Sequence, residues 1–236
     1  MAWSKDAIEK MPRIATIATL ASRVETFQAV LPVIHAQVEH VFVYLDGYST
    51  PPVFLERFDR LTVCRAELHA SSRFLCLQEL SGPTVVVVVD DDIIYPQDYV
   101  DRLVKALQRL DGQAIVGVHG RIFLPPHQSY VNHALFIGYA RELAEPTHVH
   151  ELGTGTCAFI SSNFGVDPRD WGRYDMDDII VAIEAQRRGL PRVSVARRAR
   201  WLTRNARPQS DSLWDKTLID DSEQSRQMRT LLSLYA

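Results

Sequence analysis

Three consecutive aspartates, Asp90, Asp91 and Asp92, directly follow a run of five valines, Val85–Val89. Adjacent carboxylates repel one another, so packing them together is costly unless a cation or hydrogen-bond donors offset the charge. In an extended chain, Asp90 and Asp92 point to one side and Asp91 to the other. Such a pair of oxygen ligands suits Mg²⁺ or Mn²⁺, with substrate phosphates as further ligands. The alternative interpretation is a solvated acidic turn before the next helix.

A second acidic pair, Asp177 and Asp178, lies at the beginning of a predicted helix. A carboxylate in a cleft can act as a general base. An aspartate at a helix N-terminus can also cap free N–H groups and lie at the favourable end of the helix dipole. From the residues alone, capping and catalysis explain this pair about equally well.

Apolar runs that alternate with amphipathic segments predict parallel strands joined by helices. Five successive β-branched residues are typical of a strand that is covered on both faces. Ligands of such open sheets bind beyond the carboxyl ends of the strands, which is where the triplet would lie. The predicted strands are 13–20, 41–45, 61–65, 85–89 and 114–118, and the predicted helices are 24–36, 71–80, 98–110, 178–188 and 214–236.

Composition and motif content exclude several classes of protein. The 236 residues include 26 Lys plus Arg and 29 Asp plus Glu, so the chain is no polycation and we expect no nucleic-acid partner. It has neither a P-loop nor a GxGxxG motif after its first strand, which argues against a kinase-like NTPase and a dinucleotide dehydrogenase. Three cysteines, an N-terminus without an apolar signal region and short aliphatic runs favour a cytoplasmic protein.

Three further features have two interpretations each. The turn Gly153-Thr154-Gly155 could present backbone N–H groups to a substrate or simply connect two elements. His148 and His150 would point the same way in an extended segment, and a surface or acceptor-binding role is better supported than metal ligation. The tract Arg187–Arg207 holds eight arginines and no acid. It is either a solvated surface or a contact for a diphosphate, an anionic acceptor or an acidic lipid surface.

The aspartate triplet, followed by Ile93-Ile94-Tyr95-Pro96 and Asp98-Tyr99-Val100, resembles the DXD region of GT-A glycosyltransferases. The resemblance is to the family-2-like bacterial enzymes that build capsular and surface polysaccharides, and it covers residues 11–205. The other segments that agree in order are 17–23 (first-strand nucleotide loop), 37–38 and 43–46 (second strand), 73–74 (basic-aromatic pair), 150–156 (glycine turn), and Asp178, Ala182 and Gln186 (late acidic helix).

The resemblance implies an α/β fold of the GT-A (Rossmann-like) type, with a mixed, mainly parallel sheet flanked by helices. The chain would be a single domain over residues 1–236. Its nucleotide-binding half would span about 11–118 and its acceptor-binding half about 119–207, with a C-terminal helical tail at 208–236.

The implied function is the metal-dependent, inverting transfer of a sugar from a nucleotide sugar, with UDP-sugar as the preferred donor. The acceptor would be a hydroxyl of a glycan or lipid-linked molecule in surface polysaccharide synthesis, with peripheral contact of the arginine tract at the inner face of the membrane. Asp178 would be the base, with Asp177 as the alternative, and Asp90 and Asp92 would hold Mn²⁺ or Mg²⁺. The expected nucleotide-sugar contacts are Thr19, Ala21, Arg23, Asp46, Arg73, Asp90, Asp91, Gly153, Thr154 and Gly155.

The sequence departs from the family at several positions. Ala21 replaces an expected proline, Asp46 an asparagine and Arg73 a lysine, and no late histidine follows His150 to ligate a metal. Two alternatives therefore stay open. One is a non-catalytic GT-A-like subunit that binds a nucleotide or glycan. The other, less favoured, is a sugar-phosphate nucleotidyltransferase, which would need a glycine-rich basic loop that is absent after strand 13–20.

Overall fold

The computed structural model describes residues 1–173, 175–205 and 213–235. Its strands are β1 Arg13–Leu20, β2 His40–Asp46, β3 Leu61–Arg65, β4 Val85–Val89, β5 Ile93–Ile94, β6 Ile115–Gly117, β7 Gly120–Phe123, β8 Ala134–Ile137, β9 Thr147–Val149, β10 Glu151–Leu152, β11 Thr156–Ile160, β12 Arg192–Ser194 and β13 Thr203–Arg204. Its α-helices are α1 Lys5–Glu9, α2 Val24–His35, α3 Tyr99–Arg109, α4 Asp177–Arg187, α5 Leu213–Ile219 and α6 Ser222–Ser233. All five predicted strands are confirmed, as are the predicted helices at α2, α3 and α4.

Within the described part of the chain, eight strands form one sheet in the order β3-β2-β1-β4-β11-β6-β12-β9. The pairs β1–β2, β2–β3, β1–β4 and β6–β12 are parallel, whereas β11 runs antiparallel to both β4 and β6. The edge strand β9 is antiparallel to β12. This arrangement confirms the predicted mixed, mainly parallel sheet flanked by helices.

The order of the strands defines where a ligand would bind. From β1 the chain moves to β2 and then β3 on one side, and it later returns to place β4 on the other side of β1. In open α/β sheets the crevice at such a reversal, beyond the carboxyl ends of the two strands, is the usual ligand site. The aspartate triplet follows β4 and therefore lies at this crevice.

Both faces of β4 are covered, as its five valines predict. Val85, Val87 and Val89 belong to a core that includes Phe27 of α2 and Leu103 of α3. Val86 and Val88 pack on the opposite face of the strand, with residues of α4 and with several aromatic side chains. All five are fully buried, so the strand that precedes the triplet is packed on both faces.

Two predicted helices differ from the structure. Residues 71–80 lie largely within a run of 3₁₀ turns, His69–Gln78, rather than an α-helix. The carbonyl of Arg73 accepts hydrogen bonds from the Thr16 hydroxyl and the Cys76 thiol, which compete with a regular α-helical bond. The terminal helix predicted over 214–236 is two helices, α5 and α6. They are separated because Asp221 at the break accepts hydrogen bonds from residues 129 and 131.

The remaining strands form two small sheets, β10-β7-β8 and β13-β5. Helix α6 packs against α4 and β7 through Met228 and Leu231, which join Phe123 and Ile179 in a separate apolar cluster. No helix in the described residues is long and apolar enough to cross a membrane.

Candidate active site

A cavity of about 690 Å³ opens at the carboxyl ends of β1 and β4. It is lined by most of the predicted site residues, which come from both halves of the chain: Thr19, Arg23, Asp46, Arg73, Asp90, Asp91, Asp92, Thr154, Gly155 and Asp178. The predicted contacts Ala21 and Gly153 do not line it.

The three aspartates of the triplet differ in exposure. The side chain of Asp90 is 35% exposed, and Asp92 is also partly exposed, whereas Asp91 is only 2% exposed. Asp91 Oδ1 accepts a hydrogen bond from Arg23 Nη1 at 3.3 Å, and its buried Oδ2 has no partner among the described residues. Burial raises the pKa of Asp91 to about 6, against the opposing charge of Arg23. A buried carboxylate at this position contradicts the simple solvated turn.

Arg73 is buried at the centre of the site and pairs with two acids. Its Nη1 donates to Asp90 Oδ1 at 2.6 Å, and its Nη2 donates to Asp177 Oδ2 at 2.6 Å. The same guanidinium donates to Thr154 Oγ1 at 2.8 Å and, through Nε, to Asp177 again at 3.2 Å. One internal cation therefore connects the triplet, the glycine turn and the beginning of α4.

Asp178 is held by the glycine turn. The backbone N–H of Thr154 donates to Asp178 Oδ1 at 2.8 Å, and the Thr154 hydroxyl donates to the same oxygen at 2.6 Å. Within the described part of the chain, Oδ2 of Asp178 has no hydrogen-bond partner, while Asp177 is committed to Arg73. Burial, together with the neighbouring charge of Asp177, raises the pKa of Asp178 to about 6.

The capping interpretation of this acidic pair is not supported. The N-cap residue of α4 is Met176, and no side chain caps the helix by a hydrogen bond. The side chains of both aspartates instead make contacts outside their own helix. Asp178 thus has the arrangement of a positioned carboxylate with one oxygen available.

The glycine turn also supports the triplet by close packing. A Cβ at Gly155 would lie 1.9 Å from the carboxylate of Asp90. A Cβ at Gly153 would lie 1.7 Å from Nε2 of His119. Both positions therefore require glycine, because the side chains of Asp90 and His119 pack directly on the backbone there.

Several residues that line the cavity were not predicted. His119 follows the carboxyl end of β6, and its Nδ1 lies 2.9 Å from Thr156 Oγ1. Burial lowers the pKa of His119 to about 4, so its ring is neutral. His119 comes directly after the predicted strand 114–118, just as the triplet comes directly after β4. This position is the signal that could have identified it.

An aromatic and cationic group forms another part of the wall. The guanidinium of Arg121 lies 4.3 Å from the ring centre of Tyr130 and 4.5 Å from that of Trp214. The Tyr130 hydroxyl donates to the buried Glu151 at 2.6 Å. Burial raises the pKa of Glu151 to about 8, although Arg121 opposes the shift. Aromatic faces beside a cation offer stacking and polar contacts to a sugar-like ligand.

The arginine tract does not form one continuous surface. Arg192 and Arg197 are buried, and Arg187 and Arg188 both pair with Glu184. Residue 207, the end of the tract, lies outside the described residues.

The carboxylates of Asp90 and Asp92 are the groups of this cavity that could contribute oxygen ligands to a divalent cation. Among the described residues, no group of three or more His, Cys, Asp or Glu side chains is arranged to hold a metal ion. Asp90 Oδ1 accepts a hydrogen bond from Arg73, and no described residue donates to its Oδ2. With Asp92, this makes a two-carboxylate set that fits Mg²⁺ or Mn²⁺ only if phosphate oxygens and water supply the other ligands.

Comparison with known proteins finds no family model that matches the chain, and no curated protein matches its sequence significantly. The function of the chain must therefore be inferred from its fold and its site.

Proposed function

We propose that the chain is a metal-dependent, inverting GT-A glycosyltransferase that moves a sugar from a nucleotide-sugar donor, with UDP-sugar preferred. The acceptor is a hydroxyl of a glycan or lipid-linked molecule of surface polysaccharide synthesis, at the cytoplasmic side of the membrane. The observation that carries the proposal is that Asp90, Asp92 and Asp178 line one cavity at the switch point of the sheet.

Asp90 and Asp92 would hold Mg²⁺ or Mn²⁺ together with the donor diphosphate. When bound, such an ion stabilises the negative charge that develops on the leaving diphosphate. Arg23 adds a cationic side chain to the same wall of the cavity. The buried Asp91 binds Arg23 and thereby fixes the loop that follows β1.

Arg73 takes a different role from the one that the resemblance implies. It makes four hydrogen bonds to protein groups, so its guanidinium holds Asp90, Asp177 and Thr154 in place. We assign Arg73 as a positioning residue rather than a diphosphate ligand.

Asp178 would accept the proton of the acceptor hydroxyl at Oδ2, because Oδ1 already takes two hydrogen bonds from Thr154. These bonds fix the carboxylate in one orientation, which general-base catalysis requires. A carboxylate with a pKa of about 6 is deprotonated at neutral pH and retains useful basicity.

The donor site is tested by thermal unfolding with UDP in the presence of Mn²⁺ or EDTA. A ligand at one hundred times its Kd adds about 2.7 kcal/mol to stability, which corresponds to a rise in Tm of about 5–10 °C for a chain of this size. We expect this rise with Mn²⁺, a much smaller one with EDTA, and none with Mn²⁺ in Asp92→Asn. The exposed Asp59→Asn serves as the matched control and should behave as wild type. The absence of a metal-dependent shift with every nucleoside diphosphate would exclude this donor site.

Gly155→Ala tests the close packing on Asp90. The added methyl group would overlap the carboxylate, so Asp90 must move, and a displacement of about 1 Å in a catalytic group typically costs about 100-fold in rate. We expect a loss of this size in sugar transfer. Gly82→Ala is the control, because a Cβ there meets no atom within 4 Å. Equal activity of the two variants would show that the position of Asp90 is unimportant.

A further inference from the structure

A second pocket, of about 330 Å³, lies between β9, the C-terminal end of α4 and Tyr235. It shares no lining residue with the candidate active site. Its polar lining consists of His148, His150, Gln186, Arg192 and Tyr235, and no described residue that lines it is acidic.

Arg192 is only 3% exposed and has no acidic partner among the described residues. Its guanidinium donates to the carbonyl oxygens of His150 at 2.8 Å and Leu190 at 3.0 Å. It also donates to Gln186 Oε1 at 2.7 Å and to the hydroxyl of Tyr235. All four acceptors are neutral, and one of the two Nη1 hydrogens has no acceptor in the described part of the chain. Burial lowers the pKa of Arg192, as expected for a cation whose charge is not compensated.

His150 supplies a second donor. Its Nδ1 accepts the backbone N–H of Phe123 at 2.8 Å, so in the neutral ring the hydrogen must be on Nε2. Burial, followed by the charges of Arg192 and His127, lowers the pKa of His150, which keeps the ring neutral at pH 7. The Nε2–H group has no acceptor among the described residues.

Tyr235 supplies a third donor. Its oxygen accepts the bond from Arg192, so its own hydrogen is available for an acceptor. The ring of Tyr235 packs edge-on against His150, with the ring centres 5.3 Å apart. Three side chains with unused donor hydrogens, one of them a buried cation, therefore line the same pocket.

We propose that this second pocket binds a phosphate group, whose oxygens would accept the three unused hydrogens and whose charge would compensate Arg192. His148, exposed at the rim, adds a further donor. The proposal is independent of the glycosyltransferase function, because the two pockets are separate. The phosphate could belong to a soluble ion or to a lipid headgroup, and the experiment distinguishes these sources.

The test is a titration of the ¹⁵N-labelled full chain with inorganic phosphate in Tris chloride, followed by the amide signals of residues 149–150, 189–190, 192–193 and 235. These signals report on the second pocket separately from the active site. We expect them to shift in a saturable manner. Tyr235→Phe removes one donor but keeps the ring, and it should raise the Kd about tenfold. Arg192→Gln should abolish the shifts, and Tyr44→Phe, on β2, should leave the wild-type Kd unchanged.

A second arm assigns the source of the phosphate by co-sedimentation with vesicles of phosphatidylcholine with or without phosphatidic acid. Binding that needs phosphatidic acid and Arg192, and that free phosphate displaces, supports a headgroup. Phosphate binding without vesicle binding supports a soluble ion. The proposal is overturned if phosphate leaves these signals unchanged, or if Tyr235→Phe binds as tightly as wild type. This second comparison decides the matter even if Arg192→Gln does not fold.

Discussion

Asp178→Asn is expected to lower sugar transfer by about 10²–10⁴-fold while UDP and Mn²⁺ still bind as in wild type. Asparagine can still accept the two hydrogen bonds from Thr154, so the turn and the cavity should keep their shape. What is lost is the ability of Oδ2 to take a proton. The measurement is the rate of transfer at saturating donor, alongside the thermal shift with UDP and Mn²⁺.

Asp175→Asn is the matched control for this variant, because Asp175 lines the same cavity but forms an exposed ion pair with Arg173. It should transfer at nearly the wild-type rate. Undiminished transfer by Asp178→Asn would assign the base to another residue.

The pH dependence of wild-type transfer follows from the same carboxylate. The raised pKa, about 6, means that Asp178 becomes protonated as the pH falls through that value and can then no longer accept a proton. We expect kcat to fall about tenfold for each pH unit below about 5, and to level off above about 7. A rate that does not change between pH 5 and pH 7 would contradict this role.

Arg73→Met is expected to produce the largest loss of stability. Removing one partner from a buried ion pair costs about 3–5 kcal/mol, because the buried carboxylate of Asp177 is left without compensation. Asp177 and Asp90 would both lose their cation. For a chain of this length the Tm should fall by about 10 °C.

Two comparisons test the cause of that loss. Arg169→Met removes an ion pair at the surface and should leave the Tm nearly unchanged. Adding Asp177→Asn to Arg73→Met should recover part of the loss, because one uncompensated carboxylate is removed. A Tm within 2 °C of wild type for Arg73→Met would show that the internal network contributes little.

The sequence predicts the part of this site that depends on local pattern. The five valines of β4 identify a strand covered on both faces, and the acids that follow a buried strand must lie at its carboxyl end. The sequence likewise predicts helix α4, which Gly189 and Pro191 bring to an end. These features depend on residues that are close together in the chain, so the local sequence is sufficient to predict them.

The sequence could not show which acid of the pair at α4 is available for chemistry. Arg73 and Asp177 are 104 positions apart, and only the folded chain brings them together. That contact pairs Asp177 with Arg73, whereas Asp178 accepts its hydrogen bonds from Thr154. The sequence also could not show which arginines of the tract are exposed. Arg192 and Arg197 are buried, although the density of arginines around them suggests a charged surface.

The proposed glycosyltransferase function is tested most directly by incubating the chain with a panel of nucleotide sugars and Mn²⁺ and measuring the release of nucleoside diphosphate. We expect release from one class of donor, with UDP-sugars preferred, dependence on the metal, and loss of release in Asp92→Asn. The proposal would be contradicted if the folded wild-type chain released nucleoside diphosphate from no donor faster than Asp92→Asn does, whether or not Mn²⁺ is present.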